Sequence, residues 1–255
     1  MLHKIRVKWI FISFMCIFIN ACFMNIENTP PPMTDKELAE INLQLGVRYF
    51  EMDMLATAKK KLDAALELDQ KNAGIYNALG VLYESMEQNG MALEYYKKAM
   101  SLDPNTASIK NNYGRFLCES GDYQSGMELL KAALVMPFNN RKWLAYTNIG
   151  ICEMKQGRQQ VAEDNFRQAL QLNKRFSPAL FEMQKISYRK RKYMSARAFL
   201  ERYLAVARHT PETLWYGVQT ERALGNQELS EEYRATLFSR FPASKEAQQL
   251  KSANR

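Results

Sequence analysis

The stretch AGIYNALGVLYESMEQNGMALEYYKKAMSLDP, residues 73–104, has the pattern that decides the fold. Small residues stand where two antiparallel helices must approach closely, and large apolar or aromatic residues surround them. Pro104 ends the second helix, because proline has no backbone N–H and clashes with the preceding turn. Counted from Ala73, positions 4, 7, 8, 11, 20, 24, 27 and 32 carry the pattern: Tyr76, Leu79, Gly80, Tyr83, Ala92, Tyr96, Ala99 and Pro104.

This is the pattern of a tetratricopeptide repeat (TPR), a helix–turn–helix unit of about 34 residues. One such hairpin cannot bury its own apolar face, so it must stack on copies of itself. The copies follow at steps of 34 or 36 residues, with position 8 occupied by Gly46, Gly80, Gly114, Gly150, Gln184 and Val218. The sequence therefore predicts an all-α TPR superhelical solenoid of six repeats, at about 39–72, 73–106, 107–142, 143–176, 177–210 and 211–244.

The spacing is wider by two residues between the third and fourth repeats, near Pro137–Asn140. A widened turn between these two repeats is the simplest interpretation. The last two repeats keep the spacing but depart from the pattern at position 27, where Tyr203 and Leu237 replace alanine. Atypical end repeats are expected where a solenoid must be capped.

Residues 1–21 resemble a bacterial lipoprotein signal peptide. A basic start precedes an apolar run over residues 9–19, which is short for a membrane-spanning helix but suits a signal-peptide core. The tetrad Ile19-Asn20-Ala21-Cys22 resembles a lipobox, so Cys22 is the predicted lipidation site. The alternative is a short anchor that is never cut. With Phe23 after the cysteine, the resemblance implies the inner leaflet of the outer membrane, facing the periplasm.

Residues 22–33 form a predicted tether between the lipid and the repeats. Three successive prolines, residues 30–32, exclude helix and favour an extended, semi-rigid spacer. The globular part, residues 34–255, opens at Thr34, which with Glu37 forms the capping box of a first helix.

Charge is distributed unevenly along the sequence. Residues 139–210 carry 15 basic and 5 acidic side chains, and the cluster Arg189, Lys190, Arg191 and Lys192 lies within them. Such a basic patch favours an acidic partner segment or anionic lipid headgroups. A solvated turn is an equally good interpretation. Nucleic acid is a poor partner for a protein that a signal peptide exports.

Two cysteines remain outside the N-terminal segment, Cys118 and Cys152, and they lie one repeat apart. Both fall on the first helix of their hairpins, and first helices of adjacent repeats pack side by side. The periplasm is oxidising. We therefore expect a disulfide between Cys118 and Cys152, with two buried free thiols as the alternative.

An enzymatic function is not expected from this sequence. There are only two histidines, and no metal-ligand spacing, phosphate loop or catalytic triad stands out. The carboxylates lie on helix faces, where salt pairing and solubility account for them. We expect no cofactor, no metal and no small-molecule substrate.

Recognition of a protein partner should use the concave face, which first helices line. An apolar start followed by Asn and Arg suits an extended or amphipathic peptide. The alternative for the first three residues is packing against the protein's own N-terminal segment. The positions of a chaperone carboxylate clamp are not matched. The predicted partner-binding groove consists of Leu43, Val47, Phe50, Asn77, Val81, Asn111, Arg115 and Ile151.

The order of motifs in the sequence resembles the PilF/PilW family of type IV pilus biogenesis lipoproteins. A lipobox, a Pro-rich tether and six repeats come first; distinctive segments are NNYGRFLCESGDY at 111–123, TNIGICEMKQG at 147–157 and ARAFLERYL at 196–204. The resemblance implies a pilotin, an outer-membrane lipoprotein that binds the pilus secretin subunit and promotes its localisation and multimerisation. The alternative is a TPR scaffold of another cell-envelope assembly machine.

Overall fold

The computed structural model describes residues 32–252. Over this range the protein forms thirteen helices and no strand. The predicted all-α architecture is confirmed. The helices are α1 Asp35–Glu51, α2 Leu55–Leu68, α3 Ala73–Ser85, α4 Asn89–Leu102, α5 Ala107–Glu119, α6 Tyr123–Val135, α7 Lys142–Lys155, α8 Gln159–Leu172, α9 Ser177–Arg189, α10 Tyr193–Leu204, α11 Pro211–Ala223, α12 Gln227–Arg240 and α13 Lys245–Ser252.

Helices α1 to α12 form six hairpins that stack in sequence order. From α1 to α12, each odd-numbered helix packs on the even-numbered helix that follows it. The first helices of neighbouring hairpins are also in contact: α1 contacts α3, and α5 contacts α7. The predicted first-helix capping box is present: the Thr34 hydroxyl accepts from the Glu37 N–H, and the Glu37 carboxylate accepts from the Thr34 N–H. Helix α1 therefore begins four residues before the predicted start of the first repeat.

The two helices of a hairpin pack closely where position 8 holds a small residue. A methyl group added to Gly80 would lie 2.8 Å from the ring of Tyr96, and one added to Gly150 would lie 2.6 Å from the ring of Phe166. In the last hairpin the marker residue Val218 is buried, but the close approach is made by the preceding Gly217, against Tyr233. In the fifth hairpin Gln184 is buried, and within the described part of the chain neither polar atom of its side-chain amide has a hydrogen-bond partner.

Helix α13 closes the C-terminal end of the solenoid. It packs against α11 and α12, and its Ala247 and Leu250 are buried with Leu214, Val218 and Leu237. Without this helix the apolar face of the sixth hairpin would have no next repeat to cover it. The 34-residue pattern ends at residue 244 and does not predict it.

The connection between the third and fourth hairpins differs from its neighbours. Four residues separate α2 from α3, α4 from α5 and α8 from α9, whereas six, residues 136–141, separate α6 from α7. Six residues also separate α10 from α11, but there α10 is short and the spacing between repeats stays at 34 residues. The predicted widened turn between the third and fourth repeats is therefore present.

Candidate functional site

Five of the predicted partner-binding residues line one cavity at the N-terminal end of the solenoid. Leu43, Val47 and Phe50 come from α1, and Asn77 and Val81 come from α3. The cavity has a volume of about 360 Å³, and we call it the groove. Its other lining residues are Glu51, Leu62, Gly74, Ala78 and Asn112.

Helical periodicity places these side chains together. Positions 43, 47 and 50 follow the i, i+4, i+7 spacing of one helix face, and 77 and 81 are one turn apart on α3. The buried side chain of Leu62 lies beneath them and fills the space left by Gly46, where a Cβ atom would lie 2.6 Å from it. The lining is therefore mainly aliphatic and aromatic, which suits apolar side chains of a peptide.

One wall of the groove is polar. The Asn77 side-chain oxygen accepts a hydrogen bond of 3.1 Å from the side-chain amide of Asn112 on α5. This bond links the second and third repeats and fixes the orientation of both amides. Each amide keeps hydrogen-bonding groups that the backbone of a peptide could use.

Arg115 lies outside the groove, in an ion pair between α3 and α5. Its guanidinium donates to both carboxylate oxygens of Glu84, at 2.5 and 2.7 Å, and the Tyr96 hydroxyl donates to the same carboxylate at 2.8 Å. Desolvation would lower the pKa of Arg115, but the hydrogen bonds and charge of Glu84 outweigh it and raise that pKa. Burial, followed by the Glu84 charge, raises the pKa of Tyr96. Arg115 therefore has a structural partner already.

The other two predicted groove residues are also engaged elsewhere. Asn111 is 4% exposed, and its side-chain oxygen accepts from the side-chain amide of Asn148 on α7 at 3.1 Å. Ile151 packs against the core that contains Phe166 and Leu170. The structure thus brings five of the eight predicted residues together and separates the remaining three from them.

Cys118 and Cys152 lie side by side on α5 and α7. Both are buried, their Cα atoms are 5.5 Å apart, and their sulfur atoms are at bonding distance. This Cα separation lies within the range that a disulfide spans. Gly126 makes room for the pair, because a Cβ atom there would lie 2.6 Å from the Cys118 sulfur.

Comparison with known proteins agrees with this geometry. A tetratricopeptide repeat family model matches residues 73–106 and 144–176. The type IV pilus assembly protein PilF of Pseudomonas aeruginosa is 25% identical over 225 residues, which are 87% of this chain and 89% of that protein. The chain has the fold of tetratricopeptide repeat (TPR) proteins and is similar to PilF and PilW.

Two solved structures support the resemblance of this TPR protein. The structure of Pseudomonas aeruginosa PilF has a TM-score of 0.69 and 25% identity, and the match covers 86% of this chain and 99% of that one. The structure of PilW, a widely conserved type IV pilus biogenesis factor, has a TM-score of 0.70 and 29% identity, and the match covers 84% and 98%. The six hairpins therefore correspond to nearly the whole of both solved proteins.

The predicted basic patch of the TPR protein forms the turn of its fifth hairpin. Arg189 ends α9, Lys190 and Lys192 are cap residues, and Arg191 between them has a left-handed φ of 57°. Lys190 pairs with the buried Glu163 carboxylate and donates to the Gln160 side chain. Arg189, Arg191 and Lys192 are exposed. The segment has a turn geometry, and only three of its four cations point to solvent.

The signal-peptide, lipidation and most of the tether predictions, Cys22 among them, fall outside the described residues. Within residues 32–252, no helix is long and apolar enough to span a bilayer. In the same part of the TPR protein no three His, Cys, Asp or Glu side chains are grouped so that they could hold a metal ion.

A second cavity of the TPR protein was not predicted. It has a volume of about 330 Å³ and is lined by residues 105–108 and 136–141, together with Asn111 and Leu144. We call it the junction cavity, since it lies where the third and fourth repeats meet. The two-residue insertion and the four asparagines in its lining are the signals that the sequence offers.

Proposed function

We propose that this TPR protein is an outer-membrane lipoprotein that acts in type IV pilus biogenesis as a pilotin. It binds the secretin subunit and promotes its localisation and multimerisation. The observation that carries this proposal is similarity over nearly the whole length of two proteins: the match to PilF covers 87% of this chain and 89% of that one.

In this proposal the lipid on Cys22 supplies the membrane address and the Pro-rich segment supplies reach. Two or more acyl chains anchor a protein stably, whereas a single one binds reversibly. The solenoid then faces the periplasm from the inner leaflet. It acts by binding a protein, without catalysis, cofactor, small-molecule substrate or nucleic acid.

The groove holds an extended or amphipathic segment of the secretin subunit. Its aliphatic and aromatic lining takes apolar side chains of the segment, and its volume of about 360 Å³ fits a few of them. The amides of Asn77 and Asn112 on the polar wall hydrogen-bond the backbone of the segment. Val47 is 40% exposed at the groove mouth, where a partner would bury it.

We also propose that Cys118 and Cys152 form a disulfide in the periplasm. Their Cα separation of 5.5 Å supports it, as does their position on adjacent first helices. The bond would tie the third repeat to the fourth across the longer connection between them.

A crosslinking pull-down from envelope membranes tests the function and the groove together. The lipidated protein is compared with Val47→Asp and with a matched control, Leu45→Asp. Both residues lie on α1 and are comparably exposed, at 40% and 37%, but only Val47 lines the groove. We expect secretin to be captured by the wild type and the control and to be lost with Val47→Asp, because a carboxylate in an apolar pocket is costly to desolvate.

Each other outcome has a definite meaning. Equal capture by all three proteins would keep the function and reject the groove as its site. No secretin with any of them would overturn the pilotin proposal and favour a scaffold of another envelope machine. A Cys22→Ala variant adds an independent test, because normal amounts of secretin rings in the outer membrane of such cells would contradict the role of the lipid anchor.

A further inference from the structure

The junction cavity lies between the beginnings of two long helices. Helix α5 starts at Ala107 and helix α7 at Lys142, and the residues around both starts line the cavity. The first N–H groups of a helix have no partner within the helix and give its N-terminus a partial positive charge. These two helices have 13 and 14 residues, and neither has a side-chain hydrogen bond capping its start.

The expected cap of α5 is used elsewhere. Thr106 stands at the N-cap position, but its hydroxyl donates to the Asp103 carboxylate, which also accepts from the Asn105 N–H at 2.9 Å. These hydrogen bonds lower the pKa of Asp103, so this carboxylate stays ionised near the cavity. Lys110 is close enough to Asp103 to contribute to that lowering.

A buried and unpartnered donor lies in the same cavity. Asn111 is 4% exposed and lines the cavity, and its side-chain oxygen accepts from Asn148. That bond fixes the amide so that the nitrogen Nδ2 is the free end, and Nδ2 has no hydrogen-bond partner among residues 32–252. A buried donor without an acceptor loses its hydrogen bond to water on folding, so an acceptor that reaches it is favoured.

The rim of the cavity adds a cation and an aromatic ring. Arg141, at the start of α7, is exposed and lines the cavity. Phe138, in the six-residue connection, is 98% exposed although it is a large apolar residue. Met136 and Leu144 are further apolar lining residues. The hydrogen-bond donors of the junction cavity thus lie beside an apolar surface.

We propose that the junction cavity binds a carboxylate of a peptide, with an apolar residue next to that carboxylate. The carboxylate oxygens accept from the first-turn N–H groups of α5 and α7 and from Asn111, and Arg141 supplies the countercharge. The apolar residue covers Phe138. The C-terminus of a polypeptide and an Asp or Glu side chain offer the same group. This site lies apart from the groove and does not depend on the identity of the partner bound there.

The test uses the full-length protein, labelled with ¹⁵N and purified in a non-ionic detergent, and follows its amide NMR signals. Three probes are titrated: N-acetylphenylalanine, its amide, and N-acetylaspartyl-phenylalaninamide. The first carries a C-terminal carboxylate, the second none and the third a side-chain carboxylate. We expect the amides of 107–109, 142 and 143 and the Asn111 side chain to shift with a carboxylate probe and not with the amide.

Two matched variants test the assignment of the countercharge. Arg141 and Arg175 lie 34 residues apart, are both exposed, and each donates its backbone N–H to the asparagine two residues earlier. Only Arg141 lines the junction cavity. We expect Arg141→Glu to weaken carboxylate binding at least ~10-fold and Arg175→Glu to leave it within ~2-fold. Phe138→Ser should weaken both carboxylate probes while the rest of the spectrum is unchanged.

The carboxylate probe that binds more tightly shows whether the bound carboxylate is a C-terminus or an acidic side chain. The proposal is overturned by shifts that are the same for N-acetylphenylalanine and its amide, by an equal loss in the two arginine variants, or by the absence of shifts around the cavity with every probe. None of these results bears on secretin capture at the groove, so the two proposals fail independently.

Discussion

The groove and the junction cavity are close in size, at about 360 and about 330 Å³, but opposite in chemistry. The groove is built from side chains on the facing surfaces of α1 and α3, and its lining is mainly apolar. The junction cavity is built around the ends of α5 and α7, where backbone N–H groups, asparagines and an arginine meet. The same helical hairpin thus provides two kinds of cavity.

The difference follows from the connections between hairpins. Four residues join the first hairpin to the second, and the side chains of α1 and α3 define the surface of the groove there. Where six residues join α6 to α7, the longer connection contributes its own residues to a cavity at the helix starts. A two-residue insertion therefore changes the chemistry of a repeat surface without changing the stack.

The largest expected effect comes from Cys118 and Cys152, a pair that distinguishes the junction from the groove. Removing a disulfide that closes a loop of this length lowers the free energy of unfolding by about 4 kcal/mol. Urea unfolding of the oxidised protein with and without a phosphine reductant measures this difference. The variant Cys118→Ala/Cys152→Ala should be insensitive to the reductant. A wild type that is equally insensitive would argue against the bond.

A smaller loss is expected at the ion pair that lies between the two cavities. Glu84→Ala leaves the Arg115 guanidinium and the Tyr96 hydroxyl without their shared acceptor, and it should cost about 2 kcal/mol of unfolding free energy. Glu84→Gln keeps an acceptor for Tyr96 and should lose about half as much. Urea unfolding of both variants provides the check, and equal losses would show that the charge does not matter.

The turns inside the first two hairpins differ from those inside the next two in a testable way. The turns of the first two hairpins, which carry the groove, place Asp53 and Glu87 at positive φ, whereas the turns of the third and fourth hairpins use Gly121 and Gly157. A left-handed conformation costs a residue other than glycine about 1 kcal/mol. Glu87→Gly should therefore stabilise by up to ~1 kcal/mol and Gly157→Ala should destabilise by ~1 kcal/mol. Thermal unfolding of both variants would contradict this comparison if the shifts had the same sign.

The smallest expected effect is the response of the two sites to salt. Binding of N-acetylphenylalanine at the junction cavity should weaken roughly threefold between about 0.05 and about 0.5 M salt, because Arg141 is exposed and its charge is screened. Capture of the secretin subunit through the apolar groove should change little. Parallel titrations and pull-downs at the two salt concentrations measure this, and equal sensitivity would remove the distinction between the sites.

Much of the architecture was predictable from periodicity. The spacing of Gly46, Gly80, Gly114 and Gly150 predicted the hairpins, and the position of Thr34 and Glu37 predicted the first cap. The groove residues on α1 and α3 were predictable for the same reason, since a regular helix repeats its faces. The final helix α13 was not predictable, because it is a single helix that belongs to none of the repeats.

The hydrogen-bond and ion-pair partners of side chains were less predictable than the helix faces on which those side chains lie. Arg115 and Asn111 occupy concave-face positions in the repeat pattern. Arg115 nevertheless pairs with Glu84, and Asn111 accepts a hydrogen bond from Asn148. Each partner lies about one repeat away in sequence, at an offset that the repeat pattern does not specify. Lys190 likewise belongs to a basic run in the sequence but pairs with Glu163 on the preceding hairpin.

The sequence by itself determined the repeat, the number of hairpins and which helix faces are apolar, because these depend on local spacing between residues. The tertiary structure decided which polar groups find partners and which do not, because that depends on distances of a few ångströms between residues one repeat apart. The unpartnered amide nitrogen of Asn111 and the starts of α5 and α7 lie at one cavity only because stacking brings them together.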